Sequence, residues 1–172
     1  MTHATLNNIE TLPADIENAY LQAPSSEKDY IICGAKFGLE NIRKVAMIRC
    51  ALYGGKVAGT DFWHDLQSCM NNLGLKSYKV DPNVWSRLSK RANGDLYYEY
   101  VVLCVDDCIV ISARANSLLW DEIGPHFVLK KESIGPPSQY LRGRLRKVKL
   151  GNESDAWGWG ASQYMQADRE ER

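Results

Sequence analysis

Apolar residues occur along this chain mostly in short runs, and turn-forming residues separate one run from the next. Runs of this length that are rich in β-branched and aromatic residues predict strands. Between two of these runs, the Asn93-Gly94 pair predicts a hairpin turn, and the Asp106-Asp107 pair predicts a second, tighter turn. The predicted strands cover residues 9–16, 46–52, 84–88, 96–105, 108–112, 127–131, 140–150 and 157–163.

Helical spacing is clearest between Thr60 and Leu73, where apolar residues recur at steps of three and four and Gly74 is positioned to end the helix. A shorter helix is predicted over Asn116–Ile123. Because strands follow one another through short turns, we predict an α+β fold in which the sheet is antiparallel and the helices pack on one face. No internal repeat is visible, and the length of 172 residues indicates one domain.

The composition, with 45% hydrophobic and 24% charged residues, is that of a globular protein and excludes collagen-like, fibrous and disordered classes. The longest apolar stretch, Val101–Ile111, contains two aspartates and is too short to cross a membrane, so no membrane association is expected. The five cysteines are an odd number without paired C-x-x-C spacing. Free thiols in a reducing, intracellular compartment are therefore predicted, and secretion is not.

The charges balance, with 21 basic and 21 acidic residues, but they are segregated along the chain. Residues 1–35 carry five acids and one lysine, whereas residues 130–150 carry seven bases and one glutamate. The basic segment 130–150 is typical of a surface that contacts phosphates. A solvated strand edge protected by charge is the alternative.

Two adjacent carboxylates, Asp106 and Asp107, lie between two continuously apolar runs. Strands that are apolar on both faces are buried, so their connecting turn emerges close to the core and its carboxylates lose hydration. A divalent cation would relieve that cost, and hard oxygen ligands suit Mg²⁺. The alternative is a plain hairpin whose turn contains two aspartates.

A third carboxylate, Asp15, ends another short apolar run. If the two strands are neighbours, Asp15 and Asp106 would face one pair of cations, the arrangement used for in-line phosphoryl transfer. The alternative for Asp15 is a helix N-cap or a turn residue.

Five ordered blocks resemble the reverse transcriptase of copia-type LTR retrotransposons. They are ADIENAYLQAP, RCALYGGKVAGTDFW, LGLKSYKVDPNVW, YYEYVVLCVDDCIVIS and HFVLKKESIGPPSQYLRGRL. The resemblance covers residues 9–165 and leaves 166–172 as a tail. It implies a polymerase palm with a ferredoxin-like core, RNA-directed DNA synthesis and origin from a Pol polyprotein. The family usually has a tyrosine where this chain has Cys104.

The resemblance implies that Asp15, Asp106 and Asp107 are the catalytic, metal-binding carboxylates. Asp15 and Asp106 would bind two Mg²⁺ ions directly, with Mn²⁺ able to substitute, and Asp107 would support the site.

The resemblance also implies that Tyr20 stacks under the incoming sugar, although a core tyrosine is the alternative. It places Tyr53, Gly54 and Lys56 in a block that approaches nucleotide and template. Lys130 would lie near the nucleotide phosphates, and a solvated strand end is the alternative.

The implied partners are an RNA template, a DNA primer, deoxynucleoside triphosphates, and the integrase and RNase H segments of the parent polyprotein. The implied location is a cytoplasmic particle or the nucleus. Because the family carries a fingers segment before this region and a thumb after it, we expect a palm fragment with weak or no polymerisation of its own. The alternative function is a non-catalytic nucleic-acid-binding remnant that uses segment 130–150.

Overall fold

The computed structural model of the chain describes residues 4, 7, 9–135, 139–140, 143–149 and 155–160. It has a mixed α+β fold, as predicted, with a five-stranded antiparallel sheet and few, mostly short helices. Two compact units are distinguished: Asn18–Cys69 forms one, and Met1–Glu17 together with Met70–Arg172 forms the other. One reverse transcriptase domain over 9–165 stays a prediction.

Ten strands and three helices are described. The strands are β1 (Glu10–Asp15), β2 (Tyr30–Ile32), β3 (Val45–Met47), β4 (Lys76–Ser77), β5 (Val84–Lys90), β6 (Leu96–Cys104), β7 (Asp107–Ser112), β8 (Gln139–Tyr140), β9 (Gly143–Lys149) and β10 (Asp155–Gly160). The helices are α1 (Ala19–Gln22), α2 (Ala58–Asn72) and α3 (Ala115–Ser117), and α3 continues as a π-helix over Leu118–Ile123.

The large sheet has the strand order β1-β7-β6-β5-β4, and every neighbouring pair is antiparallel. Strands β4 to β7 follow one another in sequence, so short turns suffice to connect β5, β6 and β7. Strand β1 joins next to β7, although it lies far from β7 in sequence. This pairing brings the end of β1 to the turn between β6 and β7.

Successive side chains alternate between the two faces of the large sheet. One face carries Trp85, Val101 and Val110, which are all buried, and α3 with its π-helical extension packs against β7 on this side. Strand β7 is buried on both faces, because Ile109 and Ile111 lie in an apolar cluster on the opposite face. The continuous apolar run of β7 is the sequence signature of this double burial.

Several predicted elements are confirmed. Helix α2 occupies Ala58–Asn72 and buries Phe62, Leu66 and Met70, as its spacing predicted. Gly74 follows with a φ of 76°, and this left-handed conformation ends the helix at little steric cost. The Asn93-Gly94 turn connects β5 to β6, with Gly94 at a φ of 96°.

Other elements differ from the prediction. Strand β3 ends at Met47, and of the predicted 46–52 continuation only Cys50 makes an isolated bridge, to Pro24. Residues 127–131 form no regular strand; Leu129 bridges to Ile16, and Lys131 begins a 3₁₀ turn. Each isolated bridge joins one residue of the run to its partner, and no ladder forms around it. Strands β2 and β4 and helix α1 were not predicted.

The last predicted hairpin is present as β9 and β10, with β8 added to make a three-stranded sheet. Its tip at 150–154, the Pro136-Pro137 break and the tail 166–172 lie outside the described residues. The five cysteines are free thiols; burial was also expected of them, and it holds for Cys33, Cys69 and Cys108, while Cys104 is half-buried and Cys50 is exposed. No helix within the described ranges is long and apolar enough to cross a membrane.

Candidate functional site

Two of the predicted carboxylates face each other at one end of the large sheet. Asp15, the last residue of β1, is paired with Asp107, the first residue of β7. Asp107 is also paired with Cys104 at the end of β6. Because directly opposite residues of an antiparallel pair lie on the same face, these three side chains form a row across three strands. The register of the sheet therefore brings together residues that are 92 positions apart in sequence, Asp15 and Asp107.

The third carboxylate, Asp106, lies in the turn beside this row. The turn consists of Val105 and Asp106, because Asp107 already belongs to β7; the predicted turn at Asp106-Asp107 was displaced by one residue. The backbone N–H of Ile16 donates to the carbonyl of Asp106 at 2.8 Å, and this hydrogen bond ties the turn to the chain just after β1. Asp15, Asp106 and Asp107 thus lie within one short region.

Val105 adopts a φ of 55°, in the left-handed region that β-branched residues rarely occupy. A two-residue hairpin loop with a positive φ at its first position normally has glycine there. The turn that carries Asp106 is therefore strained at its first residue. Strain of this kind persists where the surrounding structure holds the backbone, here through the strands on either side and the bond from Ile16.

Lys130 lies directly against the carboxylates. Its ammonium Nζ is 2.6 Å from Oδ2 of Asp15, and half of the lysine side chain remains exposed. The backbone N–H of Lys130 donates to the carbonyl of Asp15 at 2.8 Å, and Ser133 Oγ accepts a bond from the backbone N–H of Asp15 at 2.8 Å. The turn at 130–133 therefore holds both the backbone and the side chain of Asp15.

Burial and the charges of neighbouring residues shift the pKa of Asp107. Burial raises the pKa of the Asp107 carboxyl, and the neighbouring Asp106 and Asp15 raise it further, while Lys130 lowers it in part. In turn, the hydrogen bond and charge of Asp15 raise the pKa of Lys130. Three carboxylates thus repel one another beside a single ammonium, a situation that an added cation would relieve.

The donor set fits a hard cation, because carboxylate oxygens are the ligands that Mg²⁺ and Mn²⁺ prefer. Among the residues that the structure describes, however, no group of three or more Asp, Glu, His or Cys side chains is placed so that it could hold a metal ion. The ammonium of Lys130 already engages one oxygen of Asp15.

The other predicted binding residues lie in the unit Asn18–Cys69. The ring of Tyr20 is 4.7 Å from that of Tyr53 and 5.9 Å from that of Phe62, measured between centroids. Tyr20 is half-buried and Tyr53 is exposed. Gly54 has a φ of 89° and open space where a side chain would begin, so its backbone conformation, and not a close contact, requires glycine. Lys56 is exposed.

Within the basic segment 130–150, the described bases of β9 do not share one face. In β9, Arg144 and Arg146 point to one side of the strand and Lys147 and Lys149 to the other, and all four are exposed. Strand β9 pairs with β10 along its length and with β8 at its start, so it is not a simple sheet edge. Arg142 lies outside the described residues.

Sequence reasoning did not find a buried charge cluster on the helix-covered face of the sheet. Glu99 is fully buried, and its carboxylate accepts bonds from Arg87 Nε at 2.5 Å, Arg114 Nη2 at 3.1 Å and Ser112 Oγ at 2.8 Å. Both arginines also contact Glu122 of the π-helical segment. The sequence signal for this cluster was a single glutamate within the otherwise apolar and aromatic run of β6.

Sequence reasoning also missed a cleft of about 450 Å³ within the unit Asn18–Cys69. Ser26 and polar residues of α2, among them Asp61, His64 and Asp65, line it. The backbone N–H of Ser26 donates to Oδ2 of Asp61 at 2.9 Å. The side-chain hydrogen bond from Ser26, together with this backbone bond, lowers the pKa of the Asp61 carboxyl. None of the predicted site residues lines this cleft.

No protein family, curated protein or solved structure was found to match this chain. The resemblance to copia-type reverse transcriptases therefore depends on the five sequence blocks, and the function is argued from those blocks and from the carboxylate cluster.

Proposed function

We propose that this chain is the palm region of a copia-type reverse transcriptase, an RNA-directed DNA polymerase from a retrotransposon Pol polyprotein. In this proposal the five-stranded sheet is the palm, with a ferredoxin-like core. The observation that supports it most is the convergence of Asp15, Asp106 and Asp107 at one end of the sheet. These residues are the ones that the sequence blocks assign to catalysis.

The reaction would be attack of a primer 3′-hydroxyl on the α-phosphorus of a deoxynucleoside triphosphate, with pyrophosphate as the leaving group. When bound, two Mg²⁺ or Mn²⁺ ions would lower the charge repulsion between the attacking oxygen and the phosphates. Asp15 and Asp106 would hold these ions, and the half-buried Asp107 would orient the turn.

Lys130 has two roles in the proposal. Without metal it neutralises Asp15, and in the presence of a nucleotide its half-exposed ammonium is free to turn toward the phosphates. Because the ammonium of Lys130 competes with a cation for the negative charge of Asp15, we expect metal binding to be weak and nucleotide incorporation by this chain to be slow.

Primer extension tests the proposal. The substrates are an RNA template with an annealed DNA primer and all four deoxynucleoside triphosphates, with Mg²⁺ or Mn²⁺. We expect slow incorporation of a few nucleotides, reduced at least about a hundredfold in Asp106→Asn, since removing one charged group from a two-ion site affects the transition state directly.

Glu10→Gln is the matched control, because Glu10 is an exposed carboxylate at the opposite end of β1 from Asp15. Equal extension by the wild type and Asp106→Asn would contradict the proposal, as would the absence of both extension and Mn²⁺ binding. Rapid, processive extension would contradict the expected weak activity of the chain alone.

A non-catalytic nucleic-acid-binding role is the second candidate. The exposed Arg144, Arg146, Lys147 and Lys149 of β9 favour it, because cations on both sides of a strand can contact phosphates. This candidate predicts salt-sensitive duplex binding that Asp106→Asn leaves unchanged, without any extension. Primer extension therefore separates the two candidates.

A further inference from the structure

The face of the large sheet that carries Asp15 and Asp107 also carries a cluster of tyrosines. Tyr98 and Tyr100 lie on β6, and both share the face of Cys104 and therefore of Asp107, since they are separated from Cys104 by even numbers of residues. Tyr78 follows β4 and contacts Tyr100, with ring centroids 6.4 Å apart and ring planes at 20°. The centroids of Tyr98 and Tyr100 are 6.5 Å apart. We call these three residues the tyrosine face.

In the tyrosine face, Tyr98 and Tyr78 are exposed to solvent, whereas Tyr100 is partly buried. Tyr98 is 51% exposed and Tyr78 is 43% exposed. Tyr100 packs against the apolar cluster that includes Ile109 and Ile111, and a hydrogen bond joins it to Tyr78. The rings of Tyr98 and Tyr78 are thus exposed to solvent, and both lie next to Tyr100, which is held by packing. Little conformational entropy would therefore be lost when a planar ligand stacks on them.

On the part of this face formed by β4, β5 and β6, the charges around the tyrosines are positive. Lys76 of β4 is paired with Ser86, and Ser86 is paired with Tyr100, so the lysine points to the tyrosine side. Lys90, at the end of β5, shares this face and is exposed. The described strands β4, β5 and β6 carry no Asp or Glu on this face, because their only acid, Glu99, points to the other side.

Tyrosines flanked by lysines favour a nucleic acid over a protein partner, since lysine is depleted in the cores of protein interfaces. Exposed rings can stack only on bases whose faces are free, as in a single strand, and cations beside the rings would contact its phosphates. Cys104, the neighbour of Asp107, is six residues from Tyr98 along β6, a distance of about 20 Å. A strand lying on the tyrosine face would therefore lead toward the carboxylates.

We propose that the tyrosine face binds single-stranded nucleic acid, by stacking of bases on Tyr98 and Tyr78 and by contact of Lys76 and Lys90 with the phosphates. The proposal rests on the proposed function for its assignment of the strand as template or primer. The binding itself does not require the carboxylates.

The test is fluorescence anisotropy of a labelled oligothymidylate of about twelve nucleotides, titrated with the full chain without divalent ions. We expect Tyr98→Ala to raise Kd about tenfold and Tyr98→Phe to change it less than about twofold, because the phenylalanine ring still stacks. Lys76→Ala should reduce the slope of log K against log salt by about 0.7, the value for one phosphate contact on a single strand.

Tyr30→Ala is the matched control, because Tyr30 is 59% exposed and lies in the other unit. Unchanged Kd in both Tyr98→Ala and Tyr78→Ala would overturn the proposal. So would a loss of binding in Arg146→Ala that neither tyrosine variant reproduces, since binding would then belong to β9.

The Asp106→Asn variant separates this proposal from the polymerase function. We expect it to bind the oligonucleotide as the wild type does. Tyrosine-dependent binding without either primer extension or Mn²⁺ binding would support the tyrosine face and contradict the polymerase function. Extension that depends on Asp106, together with binding that is independent of the tyrosines, would do the reverse.

Discussion

At the scale of single residues, the contact between Lys130 and Asp15 governs the chemistry open to this site. The ammonium of Lys130 lies 2.6 Å from Oδ2 of Asp15, while burial and the neighbouring carboxylates of Asp106 and Asp15 raise the pKa of Asp107. In the proposed metal site, Lys130 and a divalent cation would compete for the negative charge of Asp15. That competition can be measured.

Replacing Lys130 with alanine should strengthen the binding of Mn²⁺ about three- to tenfold, because a positive charge beside the carboxylates is removed. Titration followed by the electron paramagnetic resonance of free Mn²⁺ gives the affinity. Lys131→Ala is the control, since Lys131 is the exposed neighbour for which no contact with Asp15 is observed in the described structure. Equal affinities of Lys130→Ala and the wild type would show that the ion pair does not oppose metal binding.

At the scale of elements, the buried Glu99 joins strands β5 and β6 to the segment that follows β7. Burial raises the pKa of Glu99, but the hydrogen bonds from Arg87 and Ser112 and the charges of Arg87 and Arg114 outweigh it, so the pKa of this carboxyl is lowered. Arg87 also donates to the carbonyl of Leu73, just after α2. The cluster therefore links a helix end, two strands and the π-helical segment through one carboxylate.

Replacing Glu99 with glutamine should lower the free energy of unfolding by about 3 kcal/mol near neutral pH, because two arginines then lose a buried partner. The folded pKa of Glu99 is below its unfolded value, near 4.3 for glutamate, so its contribution is complete above that pH and is lost as the pH falls through the folded pKa. Urea unfolding between about pH 3 and pH 7 measures both effects.

The wild type and Glu99→Gln should therefore converge in stability as the pH is lowered. Glu10→Gln serves as the control, because Glu10 is exposed in β1, opposite Ser112. A constant difference between the wild type and Glu99→Gln across the pH range would contradict the stabilising role of the ionised carboxylate.

At the scale of the whole molecule, the two compact units have sheets of very different size. The unit that contains the carboxylates has a five-stranded sheet whose central strands are hydrogen-bonded on both sides. The described sheet of the Asn18–Cys69 unit is a two-stranded ribbon, β2 with β3, and its residues Ile32 and Val45 are largely exposed. A two-stranded ribbon without a buried face is marginally stable in water.

We therefore expect amide hydrogens of β2 and β3 to exchange at least about a hundredfold faster than those of β6 and β7, because opening the ribbon breaks few buried contacts. Hydrogen–deuterium exchange followed by mass spectrometry resolves these segments. Helix α2, which belongs mainly to the same unit but buries an apolar face, is the internal reference. Equal protection of the ribbon and the central strands would contradict this expectation.

Local features of the fold could be predicted from the sequence because the signals for them are local. The spacing of Phe62, Leu66 and Met70 predicted α2, and Asn93-Gly94 predicted the hairpin between β5 and β6. The double apolar run predicted a buried β7, and its adjacent aspartates indicated where a charged turn would emerge. The residues of the candidate carboxylate cluster could be identified from the sequence in the same way, because each of them ends or begins an apolar run.

Only the tertiary structure decided which distant groups meet. The pairing of β1 with β7, which places Asp15 opposite Asp107, is set by the packing of both faces of the sheet, and sequence spacing does not encode it. The same holds for the contact of Lys130 with Asp15, for the burial of Glu99 between two arginines, and for the tyrosine face. The pairing of Asp15 with Asp107, the burial of Glu99 and the tyrosine face depend on strand register, in which a shift of one residue would turn every side chain to the opposite face.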